Sequence, residues 1–187
     1  RMPFGIVAAP STFQKLMTKV LEEMLWKEAL VHLDDILIFS KTEREHMEKL
    51  EKVFSRIQRA GLRINPEKCS FLQHELRFLG HIVNKNGIKT DPEKIKTIAK
   101  YEKPKCVKKL RSFLGICNYY RKFIKNYSEV SKPLEETCGN AKDKLYWSES
   151  HDKAFKKLKS ALINAPVLCY PDYTNEFILD TDASFDT

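Results

Sequence analysis

The sequence predicts an α+β fold, and three observations carry that expectation. Helix-period and strand-period hydrophobic patterns alternate through the first half, the middle of the chain becomes basic and helical, and the composition suits a packed core. Of 187 residues, 42% are hydrophobic and 31% charged, enough for one or two domains under a well-solvated surface.

Pro10-Ser11 opens a segment with Phe13, Leu16, Met17, Val20, Leu21, Met24 and Leu25 at the three-to-four spacing of an amphipathic helix, and Pro10 stands where the first turn of a helix accepts it. Two short apolar runs follow, Ala29 to Leu33 and Ile36 to Phe39, flanking Asp34-Asp35. They read as a hairpin with the carboxylates at its turn. Thr42 to Glu45 fits a capping box. The helix it starts puts Met47, Leu50, Val53, Phe54 and Ile57 on one face and stops at Gly61. Leu62 to Ile64 and Leu76 to Val83 look like strands, separated by turns at Asn65-Pro66 and Asn84 to Gly87.

After Gly87 the character changes. Asp91-Pro92 opens a short helix carrying Ile95 and Ile98, which Pro104 breaks. A longer helix follows, with Val107, Leu110, Phe113, Leu114, Cys117 and Tyr120 inward and Lys108, Lys109, Arg111 and Arg121 outward. Another shift comes near Gly139. Ser148 caps a helix with Ala154, Phe155, Leu158 and Leu162, ended by Pro166, and Glu176 to Asp182 alternates like a strand.

The net charge is +8 and the pI about 9.2, which favours a polyanionic partner. The charge is concentrated: residues 85–125 hold 13 Lys and Arg against Asp91, Glu93 and Glu102, a surplus of ten. A solvated helical face is the bland alternative. Five cysteines with no two-residue spacing indicate neither a disulfide framework nor a zinc site, and reduced thiols in an intracellular protein are the default. The five histidines show no metal-ligand spacing. No apolar run reaches membrane-span length, and the polar start, Arg1 to Gly5, resembles no signal peptide. Without an initiator Met, the chain is expected to come from something longer.

Adjacent carboxylates between apolar strands are unfavourable unless something positive sits beside them. A divalent metal is the simplest candidate, since hard oxygen donors suit Mg²⁺, and two-metal nucleotidyl transfer uses such acids. The competing reading of Asp34-Asp35 is an acidic surface turn.

Several segments resemble one family. Arg1 to Gln14 looks like the proline-phenylalanine-glycine … alanine-proline … phenylalanine-glutamine motif of Ty3/gypsy-type reverse transcriptases. His32 to Ser40 is similar to their catalytic tyrosine-x-aspartate-aspartate hairpin. Asn65 to Cys69 and Phe78 to His81 resemble later palm motifs, and Leu110 to Gly115 with Asn118 to Ile124 the thumb signature. Trp147, Ala154-Phe155 and Leu158-Lys159 match the connection, and Thr181 to Ser184 the opening strand of ribonuclease H.

The resemblance implies a partial right-hand polymerase palm over 1–86, a basic helical thumb over 87–139, and a connection with the start of a ribonuclease H-like domain over 140–187. Asp34 and Asp35 would ligate Mg²⁺ (or Mn²⁺), and Asp182 would be the first ribonuclease H metal ligand. Phe4, Gly5, Ala9, Pro10, Gln14 and His32 would line the nucleotide and template pocket. Lys68 would sit near the triphosphate, placed to donate a proton to pyrophosphate. Phe78, Leu79 and Gly80 would grip the primer end, and Lys108, Lys109, Arg111, Arg121 and Lys122 would track duplex phosphates. The implied partners are an RNA or DNA template–primer duplex, deoxynucleoside triphosphates and the remainder of a Pol polyprotein, with no membrane. The implied setting is intracellular: a cytoplasmic virus-like particle with a nuclear phase. Two departures stand out. His32 replaces the family tyrosine, and the third metal-binding aspartate lies upstream of this sequence in the family, so the chain alone is expected not to extend a primer. Two other readings stay open: an inactive, element-derived nucleic-acid-binding module, and a structural palm–thumb subunit.

Overall fold

A computed structural model describes residues 5–140, 145–179 and 181. The chain divides into two compact units, Arg1–His74 and Glu75–Thr187.

In the first unit, α1 (Ala9–Val20) carries Pro10 in its first turn and runs into a 3₁₀ turn at Glu22–Met24. The hairpin follows as β1 (Ala29–His32) and β2 (Asp35–Ile38), antiparallel with His32 opposite Asp35. Asp34 therefore lies in the two-residue turn and Asp35 begins β2. Helix α2 (Glu43–Arg59) is capped by the Thr42 side chain, which accepts the Glu45 N–H. The capping box is only half formed, because Glu45 Oε2 accepts the Lys41 N–H instead of that of Thr42. Met17, Leu21, Met24, Ala29, Val53 and Ile57 form a small core joining α1, β1 and α2; each of its larger side chains contributes about 1.5–3 kcal/mol by leaving water. Lys49, buried on α2, donates to the Phe39 carbonyl at 3.0 Å and pairs with Glu45 at 2.6 Å, tying α2 to the exit of β2. The expected strand at Leu62 to Ile64 does not form. Arg63 and Ile64 are exposed and unpaired with any described strand, and a strand gains its hydrogen bonds only from a partner.

The second unit starts with a three-stranded antiparallel sheet, β3 (Glu75–Phe78), β4 (His81–Asn84) and β5 (Gly87–Thr90), in the order β3-β4-β5. The apolar stretch Leu76 to Val83 is thus a hairpin, broken at Leu79-Gly80, and β5 is a strand the sequence pattern did not reveal. Helix α3 (Pro92–Ala99) is capped by Asp91, whose carboxylate accepts the Glu93 N–H at 3.0 Å. It ends before Pro104, where Lys159 Nζ donates to the carbonyls of Ala99 and Tyr101 at 2.8 and 3.0 Å. Helices α4 (Val107–Tyr119), α5 (Tyr127–Asn140) and α6 (Glu149–Ile163) complete the unit. At α6, His151 takes the capping-box position usually held by an acid. Helix α5 was not apparent from the sequence, since Pro133 lies inside it. A larger core runs through these helices, with Phe113, Leu110, Cys117, Leu134, Leu158 and Leu162 fully buried.

After α6 the chain returns to the sheet. Ile88 and Leu168 exchange two backbone hydrogen bonds of 2.9 Å, and Tyr170 Oη donates to the Asn84 and Gly87 carbonyls. Gly87 is required here. Its φ is 135°, and a Cβ on it would lie 2.1 Å from the Leu168 carbonyl oxygen. The expected strand from Glu176 is absent over residues 176–179, where Ile178 is 90% exposed without a partner; the remainder of that expected strand falls largely outside the described residues. Among the described residues no helix is long and apolar enough to cross a membrane.

Candidate functional site

The acidic hairpin is fixed through its backbone. Leu33, first of the two turn residues, has φ of 54°, a left-handed conformation that disfavours a leucine by about 1–2 kcal/mol. Its N–H donates to Gln14 Oε1 at 2.5 Å, and Gln14 Nε2 donates to the Val31 carbonyl at 3.3 Å. One amide side chain on α1 therefore holds both the turn and the strand leading into it. Asp34 and Asp35 are exposed, and among the described residues neither carboxylate has a hydrogen-bond or ion-pair partner. His32 is exposed opposite Asp35. Two free hard-oxygen donors on a fixed turn suit a divalent cation, although no group of three or more His, Cys, Asp or Glu is assembled for a metal among the described residues.

The remaining residues expected near this site are placed as follows. Gly5 lies in an exposed turn with φ of 89°, Ala9 begins α1 half-buried, and Pro10 is exposed beside it. Lys68 ends a 3₁₀ turn, Pro66–Lys68, that Asn65 caps by accepting the Glu67 N–H at 3.1 Å; its side chain is exposed. Phe4 and Asp182 lie outside the described residues.

The second unit carries its own tight hairpin. Phe78 ends β3 half-buried, and Leu79 and Gly80 form the turn at φ of 45° and 64°, the pattern of a type I′ turn. The Leu79 carbonyl accepts the Tyr119 hydroxyl, and the Gly80 carbonyl accepts the Tyr120 hydroxyl at 2.6 Å. The His81 ring donates from Nδ1 to the Leu79 carbonyl at 2.7 Å and packs among Tyr119, Tyr120 and Phe123, with centroids 5.3–5.9 Å away. Burial pushes its pKa below the usual 6.5. Burial also raises the Tyr120 pKa, with Tyr119 adding to it, so the hydroxyl keeps its proton near neutrality. The sequence reading missed these tyrosines as site residues. Their one signal was a Tyr-Tyr pair at a helix end, where both rings cannot enter the same core stripe.

The basic residues lie on α4 and the 3₁₀ turn after it. Lys108, Lys109, Arg111, Arg121 and Lys122 are all exposed. Arg111 spends one guanidinium N–H on the Cys138 carbonyl at 3.0 Å, and Arg121 lies over the Tyr127 ring at 5.5 Å. Both cations are thereby held at the surface, and the two lysines of α4 have no ion-pair partner among the described residues.

Known proteins carry the same order of parts. A family model described as reverse transcriptase (RNA-dependent DNA polymerase) matches residues 1–83, and one described as an RNase H-like domain found in reverse transcriptase matches 147–187. The Pol polyprotein of transposon 297 from Drosophila melanogaster is 44% identical over 185 residues, and that of transposon gypsy is 37% identical over 195, each across 98% of this chain. The chain belongs to the Ty3/gypsy-type reverse transcriptase family. The Tf2-3 polyprotein of Schizosaccharomyces pombe is 36% identical, again across 98% of the chain. The chain spans 17%, 19% and 14% of these three relatives. Two solved reverse transcriptases share the fold. The foamy viral protease–reverse transcriptase dRH in complex with double-stranded DNA matches at a TM-score of 0.84 and 31% identity, covering 92% of this chain and 30% of that one. The foamy viral protease–reverse transcriptase in complex with an RNA/DNA hybrid matches at 0.80 and 31%, covering 90% and 23%. The α+β class with a partial palm and thumb agrees with this reverse transcriptase fold.

Proposed function

We propose that this chain supplies the catalytic hairpin and duplex-tracking part of an RNA-directed DNA polymerase that extends a primer on an RNA or DNA template. The single observation that carries the reading is the Asp34-Asp35 pair: two exposed carboxylates without partners among the described residues, on a turn locked by Gln14. Residues 1–86 act as part of the palm, 87–139 as the thumb, and 140–187 as the connection leading into ribonuclease H. The chain works with the rest of a Pol polyprotein, in a cytoplasmic particle with a nuclear phase.

Asp34 and Asp35 would hold Mg²⁺ or Mn²⁺, and Asp182 would begin a second, ribonuclease H, metal site. When bound, the polymerase ions supply charge for activating a primer hydroxyl and stabilising the developing phosphoryl charge. The residues of this chain do the positioning. Gln14 fixes the turn so that the carboxylates meet a metal without first giving up internal partners. Gly5, Ala9 and Pro10, with Phe4, border the deoxynucleoside triphosphate and template, and His32 offers a flat polar ring where the family has tyrosine. Lys68 is the cation for the triphosphate. Phe78, Leu79 and Gly80 contact the primer end. Lys108, Lys109, Arg111, Arg121 and Lys122 follow the duplex backbone, since phosphate contacts set register without reading sequence.

A Mn²⁺ titration followed by amide line broadening tests the metal assignment on the chain itself. Broadening centred on residues 33–36 that disappears in Asp34→Asn and Asp35→Asn supports it, and broadening elsewhere refutes it. For the thumb, duplex affinity is expected to fall steeply with salt, and Lys108→Glu, Lys109→Glu and Arg111→Glu together flatten the slope by about 0.9 for each phosphate no longer neutralised. An unchanged slope would reduce the basic face to solvated surface.

A further inference from the structure

We propose that Tyr119 and Tyr120 are positioning residues whose hydroxyls hold the Leu79-Gly80 turn against the end of α4, so that the primer-end contact and the basic helix behave as one body. The inference rests on the reading of Phe78 to Gly80 as the primer contact. All of its parts lie within the second unit.

A two-residue hairpin turn has no ladder partner for its central carbonyls, which ordinarily face water. Here both are taken. The Tyr119 hydroxyl donates to Leu79, and the Tyr120 hydroxyl donates to Gly80 at 2.6 Å. The two donors are neighbours in the chain and differ in setting. Tyr120 is 1% exposed and Tyr119 52% exposed, with their rings perpendicular at 4.9 Å. Tyr119 also lies close enough over the turn that a Cβ on Gly80 would sit 3.0 Å from its hydroxyl oxygen. Gly80 therefore gives up its side chain to the tyrosine.

His81 adds a third donor. Its Nδ1–H reaches the Leu79 carbonyl at 2.7 Å, and its Nε2 is buried with no partner among the described residues. The ring has accepted one unsatisfied nitrogen in order to direct the other at the turn. Three donors thus converge on two consecutive carbonyls, and Leu79 keeps a backbone conformation that leucine disfavours. Simple packing of a hairpin on a helix needs none of these hydroxyls. The basic residues Lys108, Lys109 and Arg111 sit on the helix that ends in these tyrosines, and Arg121 and Lys122 follow them directly. A shift of the duplex on the basic face is then transmitted to the turn through two hydrogen bonds.

The test uses the full chain with Tyr119→Phe and Tyr120→Phe, singly and together, which keep both rings. Two signals are read: amide exchange at residues 79–81, and fluorescence of 2-aminopurine at the primer 3′ terminus of a bound duplex. The double variant is expected to speed exchange at residues 79–81 by about tenfold, the scale of one or two net hydrogen bonds. It should leave α6 exchange unchanged, lose the terminus signal that the parent chain gives, and bind duplex within about twofold of the parent, since no phosphate contact is removed. Unchanged exchange at 79–81 overturns the clamp and leaves the proposed function standing. Faster exchange with a normal terminus signal overturns the coupling. A parent chain that binds duplex but gives no terminus signal means the primer-contact reading has failed, and the coupling with it.

Discussion

The turns at Leu33-Asp34 and Leu79-Gly80 set the same problem and solve it differently. Each forces a leucine into the left-handed region, at φ of 54° and 45°, and each is held by side chains from a helix. At the first, Gln14 uses one oxygen for the Leu33 N–H and one nitrogen for the Val31 carbonyl. It meets the hairpin through backbone alone, its nitrogen also donating to the Thr18 hydroxyl of its own helix at 3.3 Å, and leaves the acidic side chains open. At the second, tyrosine hydroxyls take the turn carbonyls while their rings and His81 cover it. A turn that leaves its acidic side chains open is fixed by a small amide from behind. A turn that presents its backbone as a rigid edge can be buttressed by large rings.

The largest effect that separates the two is on chemistry. In a Pol polyprotein carrying this segment, Asp34→Asn or Asp35→Asn is expected to lower primer extension by well over ~100-fold, since ~1 Å of misplacement alone can cause that much, while thermal unfolding of the chain stays unchanged. Extension at the parent rate would remove the site from this turn. Next is Gln14→Leu, which keeps the volume but not the hydrogen bonds. The turn then relaxes, and extension falls by up to ~100-fold with carboxylates intact. A Gln14→Leu enzyme with normal turnover would show that the amide clamp is dispensable.

A smaller effect compares the strain at the two turns. Asn tolerates the left-handed region, and Leu79 is 38% exposed, so Leu79→Asn should stabilise by about 0.5–1 kcal/mol, seen as a rise in Tm. Leu33→Asn should gain less, because Leu33 is half-buried and its replacement gives up apolar packing. Equal gains would mean that burial plays no part at Leu33. The smallest effect is on pH. With the His81 pKa below 6.5 when folded, the unfolded chain takes up the proton first, so stability is full above pH 6.5 and is lost as pH falls toward the lowered folded value. The polar groups around His81 are Tyr119, Tyr120 and Lys122, and burial holds the Tyr120 hydroxyl above its usual 10, far from this window. The acids of this unit with lowered pKa, Glu75, Glu93, Asp152 and Asp172, start from 4.5 or less. His81→Phe should therefore flatten denaturation midpoints as pH falls below about 6.5; a persisting slope would assign it to another histidine.

These two turns also show what the sequence could tell. The acidic hairpin was legible because its apolar strands and its Asp-Asp break are contiguous, and α4 because its apolar face repeats at helical spacing. Leu79 was not legible as a turn residue. Turn rules favour Gly or Asn at positive φ, and the apolar run from Leu76 to Val83 continues across it. The clamps were invisible for a different reason. Gln14 reaches Leu33 across 19 residues and Tyr120 reaches Gly80 across 40, and no local pattern encodes such a pairing. The strand expected from Glu176 failed in the opposite sense: its alternation is clear over the described residues, yet none of them pairs with it.

The Ile88–Leu168 pair, finally, bears on the order in which the second unit assembles. It joins residues far apart in the chain, a separation whose chain-closure entropy would oppose early formation. Once α3 has packed on α6, however, only short tails separate Ile88 from Pro92 and Ile163 from Leu168. The bridge then closes a small gap instead of a long loop, so it forms late and at little entropic expense. Protection of the Ile88 and Leu168 amides accordingly reports whether the helices between them have docked.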